Sequence, residues 1–511
     1  MTIFNPLSQN NARFGTTGGE SNERSGNVSQ CQDSHTGIIP AMNPDQEQLA
    51  PPLKTPSVWH HLREKTRRWK PLDNLPAIAV STENFSVLKT PQEYRETLLS
   101  MIGEARQRIF LVTLYLEDDD GGREILAALY AAKAAHPELE IATFVDWHRA
   151  QRGLIGKEKS AGNAAMYHKM AERLGPGVPI YGVPVQRREF MGVMHLKGYI
   201  IDDAVLFSGA SLNDVYLHRH QRYRLDRYHL IRNRALADSM AAILNRTLRE
   251  NPAVHLLDSG DIPQTSNIRT AITQFRRDLS RSRYRFSAGH IRQGEIGITP
   301  LLGLGIRNNE LNRAIVELVY QAKKRLVLFT PYFNLPGPVR HALDSLLRAG
   351  ECHVTIILGD KVANDFYIPP DEPFKTIGAL PYLYEANLRR FCKARQRYIT
   401  AGQLDIRLWR HDDNTFHLKG LLVDEHYALL TGNNINPRAW RLDLENGLLI
   451  HDPQRLLLDK HLDELDRILT HTRQLSSHEE LEPVESYPAP VQRLIKRLAR
   501  VRADRLVNQV L

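Results

Sequence analysis

Two nine-residue stretches of this chain, MHLKGYIID at 194–202 and FHLKGLLVD at 416–424, carry one pattern, H-x-K-x-x-x-x-D, 222 residues apart. The shared residues are His195, Lys197 and Asp202, then His417, Lys419 and Asp424. A Gly and, four residues on, an Asn follow each stretch, Gly209 with Asn213 and Gly432 with Asn436. A carboxylate lies farther downstream, Asp226 in the first copy and Glu445 in the second, each before a short apolar run. A long-period internal repeat limits the fold more than any single segment does, because both halves must build the same supersecondary unit.

The flanking patterns repeat as well. Apolar spacing predicts a helix over 93–106, a buried strand over 109–116, a loop at Gly121 and Gly122, a helix over 125–135 and a strand over 139–145. The order returns as a helix over 311–323, a strand over 325–333, a helix over 339–348 and a strand over 353–358. Alternating helices and strands imply an α/β architecture, with a largely parallel sheet in this part.

The expected organisation is a polar, disordered extension at 1–80 ending in a basic segment, a first repeat at 81–250 and a connection at 251–300 with a helix near 268–279. A second repeat at 301–480 and a basic amphipathic helix at 481–511 complete it. Residues 360–400 have no counterpart in the first half and read as an insertion that shapes a pocket.

Spacing gives the repeat a chemical meaning. On a strand, His195 and Lys197 project from one face while Met194 and Leu196 face the other. Asp202–Asp203 and Asp424–Glu425 suit turns that return the chain as an antiparallel neighbour, so Asp202 and Asp424 read as structural. Each half then offers an imidazole, a fixed cation and a neutral donor. A single HxK is usually a solvated face; two copies in matching context are a site.

Displacement at phosphorus needs an attacker and a proton donor roughly in line. One neutral imidazole would attack to form a phospho-histidine while the other protonates the leaving oxygen. Lys197, Lys419, Asn213 and Asn436 would hold the non-bridging oxygens. Asp226 is expected to orient His195, and Glu445 to orient His417. With the cations supplied by side chains, neither metal nor cofactor is implied.

Composition narrows the partners. The chain has 511 residues, 42% hydrophobic and 24% charged, with a net charge of +9. Residues 59–70 carry +4 and residues 491–511 carry +5, so the remainder is neutral. A neutral body argues against a groove tracking a nucleic-acid backbone, although the basic ends would allow a weak ribosome or RNA association. Val491, Leu494, Ile495, Leu498 and Val501 follow helical spacing among Arg493, Lys496, Arg497, Arg500 and Arg502, which reads as a helix lying on an anionic membrane surface. The longest apolar run is eight residues, too short to span a bilayer, and no secretory leader is evident. Three cysteines make no disulfide framework, so a cytoplasmic, reducing setting is expected.

The doubled motif resembles that of the phospholipase D superfamily. VDWHRAQRG (145–153), GASLNDVYLH (209–218), RLDRYHLIRN (224–233), NDFYIPPDEPFKTIGALPYLYE (364–385) and TGNNINPRAWRLDLEN (431–446) resemble more narrowly its bacterial phosphatidylserine synthases. The resemblance covers about 80–511; the extension before it departs from the family. It implies two α/β/α repeats about a pseudo-two-fold axis. It also implies phosphatidyl transfer from CDP-diacylglycerol to L-serine through a phosphatidyl-histidine, with no obligate protein partner. By analogy His195 is the nucleophile and His417 the general acid, then the base for the serine hydroxyl. Tyr367, Arg438 and Trp440 adjoin these stretches and read as pocket residues. The motifs leave open the alternative in which water or another alcohol takes the phosphatidyl group, as in a phospholipase D or a cardiolipin synthase. The expected place is peripheral, at the inner face of the cytoplasmic membrane.

Overall fold

The computed structural model of the protein describes residues 72–152, 162–369 and 371–500. The polar extension, the basic segment at 59–70 and the residues after 500 lie outside the described residues.

Among the described residues two large sheets form, and they share one strand order. In the first, the strands run Ile180–Val183, Glu140–Asp146, Arg108–Val112, Gly198–Ile201, Ala204–Ser208, Tyr228–Arg232. In the second they run Leu404–Trp409, His353–Gly359, Arg325–Phe329, Gly420–Val423, Tyr427–Thr431, Leu444–His451. Position for position, these are two copies of one α/β unit. Each is mixed rather than largely parallel. Helical crossovers make the first three strands of each series parallel, whereas the strands after each motif are antiparallel, the first joined by a tight turn and the next by a longer loop.

The helices follow from their caps. Thr90 accepts from Glu93 N at the start of the helix Pro91–Glu104. The expected loop at Gly121 and Gly122 is instead the first turn of the helix Asp120–Ala135. The backbone N–H groups of these two glycines donate to Asp214 and Asp119, so the acidic run 118–120 serves a helix N-terminus. In the second half the helices Glu310–Gln321 and Gly337–Ala349 take the corresponding places.

The stretch 251–300 divides its loyalty. His255–Leu256 extends the first sheet beside Ile180–Val183, while Glu295–Leu304 lies within the second sheet beside Leu444–His451. Ile78–Ser81, which precedes the first copy, caps that second sheet's edge. One apolar core joins the sheets: Leu206 and Phe207 of the first half share a cluster with Leu430, Leu448 and Ile450 of the second.

The motif carboxylates fix the start of each neighbouring strand. Asp202 accepts from the backbone N–H groups of Arg106, Gln107 and Arg108 at 2.8–3.0 Å. Asp424 accepts from those of Lys323, Lys324 and Arg325 at 2.6–2.8 Å. Both sit at positive φ, +49° and +51°, a turn conformation that Asp tolerates better than most residues. Replacing Asp424 by Ala should therefore lower the unfolding free energy by about 2 kcal/mol. Glu425→Ala at the adjoining exposed position should change it by less than about 0.5 kcal/mol. Urea titration of the two variants checks the difference.

Candidate active site

The HxK residues were expected on a strand; they lie just before one. Gly198 and Gly420, one residue after each Lys, take φ of +114° and +128° and break the extended run there. A side chain on Gly420 would place its Cβ 2.3 Å from the Leu429 carbonyl oxygen, so only glycine fits. Released from its own sheet, each HxK segment pairs with the other half. His195 N donates to Leu444 O, and Leu444 N donates to Val193 O. His417 N donates to Leu225 O, and Thr415–Phe416 runs parallel to Arg224–Leu225.

That exchange carries the carboxylates across. Glu445 accepts from His195 Nδ1, with both oxygens at 3.0 Å. Asp226 accepts from His417 Nδ1 at 3.0 Å. The expected pairing within each half, Asp226 with His195 and Glu445 with His417, is thus reversed. The physical reason is the register: the residue just before each carboxylate, Leu444 or Leu225, accepts from the backbone N–H of the partner half's histidine, not its own. With Nδ1–H directed at a carboxylate, each imidazole keeps Nε2 for chemistry.

The lysines are equally buried. Lys197 Nζ donates to Ser211 Oγ at 3.0 Å, and Lys419 Nζ donates to Asp226 at 2.7 Å and also meets His417. The repeat glycines make room by close approach across the axis: a Cβ on Gly209 would stand 2.7 Å from Lys419 Nζ, and one on Gly432 2.6 Å from Lys197 Cγ. Asn446 brackets Lys197, accepting from its N–H and donating to its C=O, both at 2.8 Å. Asn213 and Asn436 use their side-chain oxygens on backbone N–H groups of Tyr216 and Ala439. This holds each Asn at the start of the turn that returns beside the motif.

Burial sets the titration of the cluster. It lowers both imidazoles well below the usual histidine range, and the nearby lysines push the same way. Lys197 falls to about 7, chiefly from burial and then from Lys419. Glu445 and Asp226 are raised by burial, with the lysines opposing. The resting site therefore holds two neutral imidazoles beside two lysines, of which Lys197 is charged only below about 7, an arrangement fitted to receive a phosphodiester anion.

The chain has close relatives with this chemistry. The serine O-phosphatidyltransferase PssA of Escherichia coli (strain K12), which uses CDP-diacylglycerol by name, is 50% identical over 449 residues, spanning 88% of this chain and 99% of that protein. The Haemophilus influenzae CDP-diacylglycerol–serine O-phosphatidyltransferase is 48% identical over 455 residues, spanning 88% of this chain and all of that protein. The crystal structure of phosphatidylserine synthase from Haemophilus influenzae Rd KW20 superposes with a TM-score of 0.83 at 47% identity, covering 86% of this chain and 98% of that one. Residues 315–469 match the family described as cardiolipin synthase, PLD-like domain. The chain belongs to the CDP-diacylglycerol–serine O-phosphatidyltransferase family.

Within this phosphatidyltransferase scaffold the surroundings of the two histidines differ. Tyr216 O–H lies 2.8 Å from His417 Nδ1, and the Arg224 guanidinium sits over the Tyr216 ring at 4.9 Å. Tyr332 meets His417 edge-on, stacks on Tyr384 and donates to Asp365 at 2.8 Å. On the His195 side, Asp146 accepts from Met194 N and Asp443 accepts from Val193 N, which fixes the approach to the motif. Arg438 pairs with Asp443 at 3.2 Å and is close enough to His195 to disfavour its protonation.

Two expected pocket residues are elsewhere. Trp440 is buried in the second-half core, its carbonyl accepting from Asn312, because the short helix Pro437–Arg441 turns that face inward. Tyr367 packs near Tyr382 in a separate cluster with Tyr487 and Val491. Tyr216, Arg224, Tyr332 and Asp365 were missed. Tyr216 and Arg224 align with Ala439 and Asp443 of the other half, so the repeat does not mark them, whereas Tyr332 has a counterpart in Tyr115, each following a Thr that donates to its carbonyl. Tyr216, Arg224 and Asp365 do fall within the family-like stretches at 209–218, 224–233 and 364–385, which is the signal that could have found them.

The C-terminal helix also differs from expectation. In Ala489–Arg500, Val491 is fully buried and Leu494 and Ile495 pack toward Tyr382 and Tyr487, so this apolar face meets the protein body rather than lipid. Arg493, Lys496 and Arg497 face solvent. Arg502 lies outside the described residues, as does the side chain of Arg500.

Because Lys197 is charged below about 7 and neutral above it, its hold on an anionic phosphodiester weakens as pH rises through that value. The kcat/KM profile, which reports the free enzyme, should show its basic limb near 7 rather than near 10. Lys197→Arg, always charged, should remove that limb; a limb that stays in place assigns it to another group.

Proposed function

We propose that the chain transfers the phosphatidyl group of CDP-diacylglycerol to L-serine, giving phosphatidylserine and CMP. The observation that carries this reading is the crossed pair of carboxylate–imidazole contacts, which puts two neutral histidines and two lysines into one buried cluster. Close relatives named for this reaction supply the substrates.

In the first half-reaction His195 Nε2 attacks the phosphatidyl phosphorus, a P–N bond forms, and the P–O bond to CMP breaks. Glu445 stabilises the imidazolium that develops. Lys197 and Lys419 hold the non-bridging oxygens, assisted by Asn213 and Asn436. CMP is a stable anion and needs little proton donation to depart, so His417 matters most in the second half-reaction. There its Nε2 takes the serine hydroxyl proton as the serine oxygen displaces His195 from phosphorus, and Asp226 stabilises the charged ring. Asp202 and Asp424 keep the strands in place and touch no substrate.

Labelled CDP-diacylglycerol tests the assignment. Without serine, CMP release should stop near one equivalent and continue only slowly; with serine it should turn over. Because the carboxylates are crossed, Asp226→Asn should behave like His417→Ala and accumulate label on His195. Glu445→Gln should instead slow the formation of that adduct, each variant losing about 10²–10⁴-fold in the affected step. Label on His417 reverses the two roles, and free turnover to phosphatidate without serine assigns water as the acceptor.

The substrate is a bilayer lipid, and among the described residues no helix is long and apolar enough to cross a membrane. We therefore infer peripheral attachment at the inner, anionic face of the cytoplasmic membrane. The exposed Arg493, Lys496 and Arg497 supply the attraction, on the order of 1 kcal/mol per cation. Sedimentation with vesicles of anionic phospholipid should weaken as salt rises from 0.05 to about 0.5 M. It should fall further when these three residues become Gln; salt-independent binding overturns the electrostatic reading.

A further inference from the structure

The reading above leaves open how one alcohol is chosen over others, water included. On the His417 side a partly buried pair of opposite charges stands beside the base. Arg224 Nη1 lies 3.4 Å from Asp365 Oδ2, and the two side chains are 15% and 14% exposed, sheltered but reachable. Arg224 Nε donates to Thr415 Oγ1 at 3.2 Å, while its Nη2 makes no hydrogen bond among the described residues. Tyr332 O–H donates to the other oxygen of Asp365 and its ring meets His417, so carboxylate and imidazole flank one tyrosine. Arg224 in turn covers the ring of Tyr216, whose hydroxyl touches His417. Asp365 comes from the crossover between His353–Gly359 and Leu404–Trp409, which corresponds to the first-half crossover carrying the helix Asn163–Leu174 but differs from it in sequence; on the His195 side the ion pair is Arg438 with Asp443 instead.

We propose that the Arg224–Asp365 ion pair is the acceptor-selecting element, opening to take the zwitterionic head of a β-hydroxy α-amino acid. Arg224 binds the α-carboxylate, Asp365 binds the α-ammonium, and the side-chain hydroxyl is left toward His417. The inference rests on the proposed transfer to serine and deepens it. A zwitterion replaces one buried ion pair by two and leaves no charge unmatched. A neutral alcohol cannot part the pair without stranding both charges, an amino alcohol strands Arg224, and an anionic alcohol strands Asp365. An uncompensated buried charge is among the costliest defects a site can carry, so the discrimination is built in. Once seated, the serine hydroxyl oxygen forms the new P–O bond, its proton passes to His417 Nε2, and the P–N bond to His195 breaks.

The test uses the full chain with labelled CDP-diacylglycerol and three acceptors: L-serine, ethanolamine and water. Formation of the covalent adduct without serine reports that each variant is folded and competent for the first half-reaction. Asp365→Asn should raise KM for serine at least tenfold more than it slows adduct formation. Arg224→Gln should narrow the preference for serine over ethanolamine by about tenfold or more, and Arg224→Lys should restore part of it. Losses of serine transfer and adduct formation in equal proportion make the pair structural and overturn the inference, as does an unchanged serine-to-ethanolamine ratio in Arg224→Gln. A wild-type protein that makes no phosphatidylserine overturns the proposed function itself, an outcome distinct from wild-type transfer whose selectivity ignores these residues.

Discussion

Each histidine of the site is oriented by a carboxylate from the other half of the chain, and the rest of the architecture serves that exchange. His195 depends on Glu445 and His417 on Asp226. Neither repeat folded alone would own a properly held imidazole. The backbone makes the same statement, since each motif histidine hydrogen-bonds to the residue just before the other half's carboxylate. Duplication has therefore produced an interlocked pair rather than two sites side by side, and the shared core of Leu206, Phe207, Leu430 and Ile450 holds the lock shut.

Interlocking also solves an electrostatic problem. Two lysines buried alone would cost several kcal/mol each. Here two lysines face two carboxyl groups, each lysine lowered and each carboxyl raised by burial, so the resting cluster is close to neutral with both imidazoles uncharged. An entering phosphodiester anion tips the balance and favours protonation of an imidazole. The positive charge that the reaction needs is thus drawn in by the substrate instead of being stored in the empty protein, where burial would penalise it.

Much of this was legible in the sequence because a repeat reports on itself twice. Helix and strand order, the turns at Asp202 and Asp424, and the inventory of His, Lys and carboxylate all followed from comparing one half with the other. The crossing did not, for a definite reason: spacing along the chain is the same whether Asp226 serves His195 or His417, and only strand register in space separates the two. The positive φ of Gly198 and Gly420 is the local cause, and a glycine after a lysine is too common to announce it. Tyr216, Arg224 and Asp365 were illegible for the opposite reason, since no like residue stands at the matching place in the duplicate; Tyr332 is matched by Tyr115, but a buried aromatic just after an apolar strand reads as core. The basic helix shows the limit of amphipathic pattern: an apolar stripe states that something covers it, and here Tyr382 and Tyr487 do so in place of lipid.

What the duplication leaves symmetric and what it does not divide the chemistry between them. The phosphorus is common to both half-reactions and is met by the symmetric parts, with a histidine and a lysine from each side. The groups exchanged at that phosphorus, a nucleotide leaving and a small alcohol arriving, differ in size and charge, and a symmetric site could not tell them apart. The asymmetry enters through residues with no duplicate, Asp365 with Arg224 beside His417, and through Arg438 with Asp443 beside His195. A cation already matched to a carboxylate offers little to a neutral molecule and much to one that can replace both partners at once. Selectivity of that kind does not depend on a close steric fit, and it follows from the cost of separating charges in a place water barely reaches.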